Sequence, residues 1–192
     1  ERLDFSTETV TTPTPQLSQA RNGLAGTQSS SYGYFAGGSG VCTIDRLDFS
    51  TETVTTPTPK LSQARSALAA TQSSYYGYFG GGGAITPVFN TIDRLDFSTE
   101  TVSTPSPKLS QARRELASVS GGTGTRRVGS ATAGYYGGGY ISSIDVYCTI
   151  DRLDFSTETV TVPTSKLSQA RNQLAAVSSS SYGYFGGGST SP

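Results

Sequence analysis

Histidine, methionine and tryptophan are missing from all 192 residues, and cysteine occurs only twice. Without histidine there is no Ser/His or Cys/His pair to activate a nucleophile. Two thiols and no imidazole also leave neither a structural zinc site nor a copper-radical centre to be assembled from familiar ligands. A calcium site of Asp and carbonyl oxygens is the one metal reading left, and the expectation is no metal and no cofactor. No apolar run approaches the roughly eighteen residues of a membrane span, so none is expected. Fourteen basic and fourteen acidic residues cancel, and a strongly basic face for nucleic acid is not expected. Low charge, at 15% of the chain, together with low aliphatic content borders on disordered composition. The chain opens at Glu1 without a methionine, inside a repeat, and reads as a processed or partial product.

What the chain does contain is one phrase written four times. Leu-Asp-Phe-Ser-Thr-Glu-Thr-Val occupies 3–10, 47–54, 95–102 and 153–160. Each copy is followed by a Thr/Pro stretch, then Leu-Ser-Gln-Ala-Arg (Arg-Arg in the third copy), then an aromatic-glycine run. The repeated Asp recurs at intervals of 44, 48 and 58 residues. Such spacing argues against disorder and for a repeat architecture of strands and turns. A chain of this length buries about 70% of its unfolded surface, so a single domain spanning 1–192 is expected.

Within the unit 43–82, Thr43–Phe49 alternates, with Leu47 and Phe49 on one face and Ile44 on the other. Ser50-Thr51-Glu52 is turn chemistry, and Thr53–Thr56 is a short β-branched outer strand ended by Pro57 and Pro59. Leu61–Ala70 has apolar residues at helical spacing, but its shortness favours an inner strand over Ala67–Thr71. Tyr76–Phe79 supplies the next strand, and Gly80–Gly82 turns the backbone. The chain opens on the third and fourth strands of a unit and closes on the first and second. Pairing these ends removes free edges and yields four blades: 17–56, 61–104, 109–162, and 167–188 plus 2–12. The fold expected is an all-β, four-bladed β-propeller of four-stranded antiparallel blades, closed by its N- and C-terminal strands.

This order of aromatic strand, glycine doublet, Asp-containing strand and outer strand resembles the kelch repeat of β-propellers. The doublets Gly37-Gly38, Gly81-Gly82, Gly138-Gly139 and Gly187-Gly188 carry the likeness, with Asp4, Asp48, Asp96 and Asp154. Leu47 stands where kelch repeats have Tyr, and Val54 where they have Trp. The wording Tyr-Phe-Gly-Gly-Gly and Thr-Ile-Asp-Arg-Leu-Asp-Phe-Ser is similar to repeats of bacteriophage structural and fibre-like proteins.

Arg21, Arg65, Arg113 and Arg171 recur once per blade. The likeness to sialidase-like propellers implies a carboxylate clamp, since guanidinium pairs bidentately. The structural reading pairs each Arg with the repeated Asp or Glu of its own or the next blade. Catalytic groups break symmetry and scaffold groups obey it, so the expectation is a salt-bridge lattice with Asp4, Asp48, Asp96 and Asp154, and no catalytic residue. Arg46/Asp48, Arg94/Asp96 and Arg152/Asp154 lie two apart on a strand and share a face. Cys42 and Cys148 fall on opposite blades, roughly 20 Å or more apart at ~4.8 Å per strand. A disulfide needs Cα atoms within ~7 Å, so none is expected between them, and an interchain bond is the alternative. Insertions mark the third unit at 120–129 and 140–147 and the second at 83–89. Arg126, Arg127, Tyr140 and Tyr147 are the candidate binding residues.

These features point to a non-enzymatic structural or adhesive module of a virion appendage or extracellular assembly. Its expected partners are other protein subunits, including copies of itself. A lectin-like module binding glycans or protein through the third-blade loops is the alternative, and a sialidase-like glycosidase the remote one.

Overall fold

The computed structural model describes residues 1–83, 86–121, 131–142 and 145–191, and every regular element among them is a β-strand. The first pair, β1 (Arg2–Asp4) and β2 (Thr9–Thr11), stands alone as a two-stranded sheet. Three four-stranded antiparallel sheets follow in chain order. The first holds β3 (Ala25–Gln28), β4 (Tyr32–Ala36), β5 (Ile44–Asp48) and β6 (Val54–Thr55). The second holds β7 (Ala69–Gln72), β8 (Tyr76–Gly80), β9 (Ile92–Asp96) and β10 (Val102–Ser103). The third holds β11 (Ala117–Gly121), β12 (Ala133–Gly137), β13 (Ile150–Asp154) and β14 (Thr159–Thr161). A last two-stranded sheet pairs β15 (Asn172–Ser178) with β16 (Gly183–Ser189).

Short polar side chains set the turns. Between β5 and β6, Asp48 Oδ1 accepts the Ser50 N–H at 2.8 Å, the Ser50 hydroxyl at 2.6 Å and the Thr51 N–H at 3.1 Å. Glu52 then takes a left-handed φ of 53° that brings the chain back. The same contacts recur at Asp4, Asp96 and Asp154. In the second unit the inner strand begins at Ala69, two residues later than its composition suggests. Ala67 sits at φ 54° and donates its N–H to Gly23 O at 2.6 Å, which takes it out of the strand.

The sheets stack in sequence order through their inner strands, β3 on β7, β7 on β11 and β11 on β15. The core therefore lies between sheets rather than inside one. One layer joins Ala25, Tyr34 and Ile44 to Phe79 and Leu95; the next joins Tyr78 and Ile92 to Tyr136 and Leu153. Close stacking demands glycine at two kinds of position. A Cβ on Gly77 would lie 2.7 Å from Thr27 Cγ2 of the sheet before it. Gly81, at φ +67°, would put a Cβ 2.6 Å from Arg113 O of the sheet after it.

The end pairs remain two separate sheets, and the ladder that would join β1 to β16 is not formed in this structure. The last pair packs on β11 and Arg2–Glu52 ties β1 to the first sheet, whereas joining the ends demands closure of a loop spanning the whole chain. The end sheets accordingly keep apolar side chains in solvent: Leu3 is 50% exposed and Phe5 91%, while Leu95 and Leu153, at Leu3's position in full sheets, are 0% and 1%.

Candidate functional site

Three of the four repeated arginines, Arg21, Arg65 and Arg113, enter the buried interior of their sheets. Arg65 donates from Nη1 to Gly81 O at 2.7 Å and Thr91 O at 2.9 Å, and from Nη2 to Phe79 O at 3.1 Å and Asp93 Oδ2 at 2.7 Å. Arg113 repeats this with Gly138 O, Thr149 O and Asp151, and Arg21 with Gly37 O, Thr43 O and Asp45. All three ion-paired side-chain couples are withdrawn from solvent. Burial pulls Arg65 and Arg113 below their ordinary 12.5, with Asp93 and Asp151 opposing it. Both stay cationic at any working pH. The Arg171 guanidinium donates only to Gly187 O, at 2.9 Å, and meets no carboxylate among the described residues.

The acidic partners differ from those expected. Asp45, Asp93 and Asp151 hold the arginines; Asp48, Asp96 and Asp154, like Asp4, cap the turns. The reason is strand alternation: Asp45 points to the same buried side as Leu47, and Asp48 to the opposite one. Ser50, Ser98 and Ser156 hydroxyls, with backbone N–H groups, hold Asp48, Asp96 and Asp154 below the ordinary 3.8. Each buried aspartate has a second oxygen to satisfy. Thr56 donates to Asp45 Oδ1 at 2.8 Å and Thr104 to Asp93 Oδ1 at 2.9 Å. At the equivalent place in the third unit stands Val162, and Asp151 Oδ1 is buried without a partner.

A second set of arginines crosses between sheets. Arg46 Nη1 donates to both Glu100 oxygens, at 2.8 and 2.9 Å, and its guanidinium lies 4.6 Å over the Tyr32 ring. Tyr34 donates its hydroxyl to the same Glu100 at 3.1 Å and stacks on Phe97 at 5.4 Å and 12°. The next interface copies it: Arg94 and Tyr78 meet Glu158, and Tyr78 stacks on Phe155 at 5.0 Å. Burial first, then the facing glutamate, pushes the Tyr34 and Tyr78 phenols well above 10.0. Arg2 makes the same bond to Glu52. So Arg46 and Arg94 reach the next sheet's glutamate rather than Asp48 and Asp96. Only Arg152, with no such glutamate beyond it, falls back on its own-strand neighbour Asp154 at 2.9 Å.

Of the candidate binding residues, Arg126 and Arg127 lie outside the described residues. Tyr140 is buried, with Arg114 stacked 4.6 Å over its ring. Tyr147 is half-buried, and its carbonyl accepts the Arg171 N–H at 3.1 Å. Cys42 and Cys148 are free thiols whose carbonyls accept the Leu61 and Leu167 N–H groups, each at 2.9 Å. Among the described residues, no three His, Cys, Asp or Glu side chains gather as a metal-ligand set, and no helix is long and apolar enough to cross a membrane.

Searches against protein-family models and against curated proteins find no match to this chain. Its class rests on the geometry. It is an all-β repeat-like protein whose antiparallel sheets stack in sequence order, braced within by buried Arg–Asp pairs and between by Arg–Glu and Tyr–Phe pairs.

Proposed function

We propose that this chain is a non-enzymatic structural or adhesive module, a kelch-type β-propeller serving a virion appendage or extracellular assembly. The observation that carries the reading is the equivalence of Arg21, Arg65 and Arg113. Each donates from its two terminal nitrogens to the same two carbonyls and one aspartate, and the nitrogen left without a partner, Nε, is buried. A catalytic clamp would need one of the three to differ. A common axis is supported by one cavity of about 450 Å³ lined by equivalent turns of four units, at Gly23, Ala67, Glu115 and Gln173. Backbone bonds run Gln173 to Glu115, Glu115 to Ala67 and Ala67 to Gly23 beside it. In the finer architecture, β1–β2 supplies the third and fourth strands of the sheet begun by β15–β16. Made within one chain, that joint closes a ring of four blades.

Sialoside hydrolysis by wild type, Arg65→Ala and Arg113→Ala tests the catalytic alternative. The expected result is no turnover from any of them and a similar loss of thermal stability in both variants. Turnover abolished by Arg113→Ala and kept by Arg65→Ala would overturn the structural reading.

A further inference from the structure

We propose that the two end sheets join between copies of this chain, head to tail, so that β1–β2 of one copy completes the sheet of β15–β16 in the next. This rests on the reading that β1–β2 belongs to that sheet, and it assigns the strands to a second copy. The repeat fixes the register: Gly33↔Leu47 and Tyr34↔Arg46 in the first sheet translate to Gly183↔Leu3 and Tyr184↔Arg2 across the joint.

Groups left incomplete at one end match those left incomplete at the other. Arg152 lacks the glutamate that Arg46 and Arg94 possess, and Glu8, the equivalent of Glu100 and Glu158, makes no ion pair among the described residues. Tyr135 occupies the place of Tyr34 and Tyr78, and Phe5, the counterpart of their stacking partners Phe97 and Phe155, stands 91% exposed. Within the completed sheet, Glu1 falls at the position of Asp45, opposite Arg171. One step further on, Tyr184 (54% exposed) meets Phe49 (44% exposed). Every contact invoked is already made twice or more inside the chain, so the joint continues an existing interface.

The clefts that receive these strands are separate. One, of about 740 Å³, lies between β1–β2 and the first sheet and is lined by Leu17, Phe35, Leu47 and Phe49. The other, of about 550 Å³, lies beside β16 and is lined by Val119, Tyr135, Arg152 and Phe185. They share no residue, and neither β1 nor β2 lines the second. Arg2–Glu52 ties β1 to its own first sheet. A second copy reaches β16 with both arrays left as they are, whereas the same chain's head must move.

Charge exchange tests this. Glu8→Arg and Arg152→Glu each place like charges across the joint, while an equimolar mixture restores opposite charges at every joint. In sedimentation velocity, wild type is expected to grow beyond 20.0 kDa with concentration. Each single variant is expected to associate about tenfold more weakly or worse, and the mixture and the double variant to recover. Assembly of both single variants at wild-type strength would overturn the proposal. So would a wild type that stays at one chain's mass at every concentration. In that case, if Glu8→Arg lowers the melting temperature and the double variant restores it, the ends join within one chain and only the second copy is lost. No change in melting temperature would remove the composite sheet as well.

Discussion

At the residue scale the arginine lattice is four near-copies with small defects, and the defects make it measurable. Asp151 Oδ1 is a buried acceptor left empty because Val162 replaces the threonine found at 56 and 104. Val162→Thr keeps the shape and adds the missing donor, so it is expected to stabilise by about 1 kcal/mol in urea unfolding. Thr104→Val is expected to cost about 1–2 kcal/mol by orphaning Asp93 Oδ1. The turn aspartates set an acid response. Serine hydroxyls and backbone N–H groups hold Asp4, Asp48, Asp96 and Asp154 below 3.8 in the folded chain, so folding favours their charged form. That contribution is complete above 3.8 and fades as pH falls through the lowered values. Asp96→Asn should therefore be less stable than wild type at pH 6, with a gap that narrows steadily below pH 3.8 in a pH series of melting curves. The arginine periodicity was legible in the chain, but its partner was not. Ile-Asp-Arg-Leu-Asp offers two aspartates on opposite faces, and the second sits in the repeated phrase that attracts attention. Placing Leu47 inward and counting two residues back identifies Asp45.

At the element scale, strand order within the three full sheets and the positions of their turns were written in the repeat, because alternation, Ser/Thr turns and proline stops act locally. Ala67 shows where local reading fails: its left-handed φ is set by a hydrogen bond to Gly23, 44 residues away. The glycine doublets belong to the same case. Gly82 and Gly139 donate N–H groups to Arg113 O and Arg171 O of the following unit, each at 2.8 Å. Gly81 passes that carbonyl so closely that a methyl group has no room. Gly81→Ala should cost about 2 kcal/mol or more, from a left-handed φ and a backbone clash together, whereas Gly186→Ala, with open space around its Cβ, should cost far less.

At the scale of the whole molecule, stability is distributed as in a one-dimensional array, each sheet covered by its neighbours and the two ends covered on one side only. The second sheet has a full sheet on either flank, and Tyr78, Phe79, Ile92 and Leu95 are wholly buried there. The last pair borders β11 on one side and solvent on the other, leaving Val177 and Tyr184 exposed. Opening an end costs one interface; opening the middle breaks two. Amide exchange should therefore be slowest in β8 and β9, intermediate in β4, β5, β12 and β13, and fastest in β1, β2, β15 and β16. Uniform protection across all sixteen strands would mean that the chain opens only as a unit, contrary to the layered core. Repeating the measurement at rising protein concentration separates the end sheets from the rest. Joined to another copy, β1 and β16 each gain a ladder partner, and their amides should slow while those of β8 and β9 hold constant. Glu8→Arg should abolish that concentration dependence and leave the central protection untouched, because Glu8 makes no ion pair within its own described array.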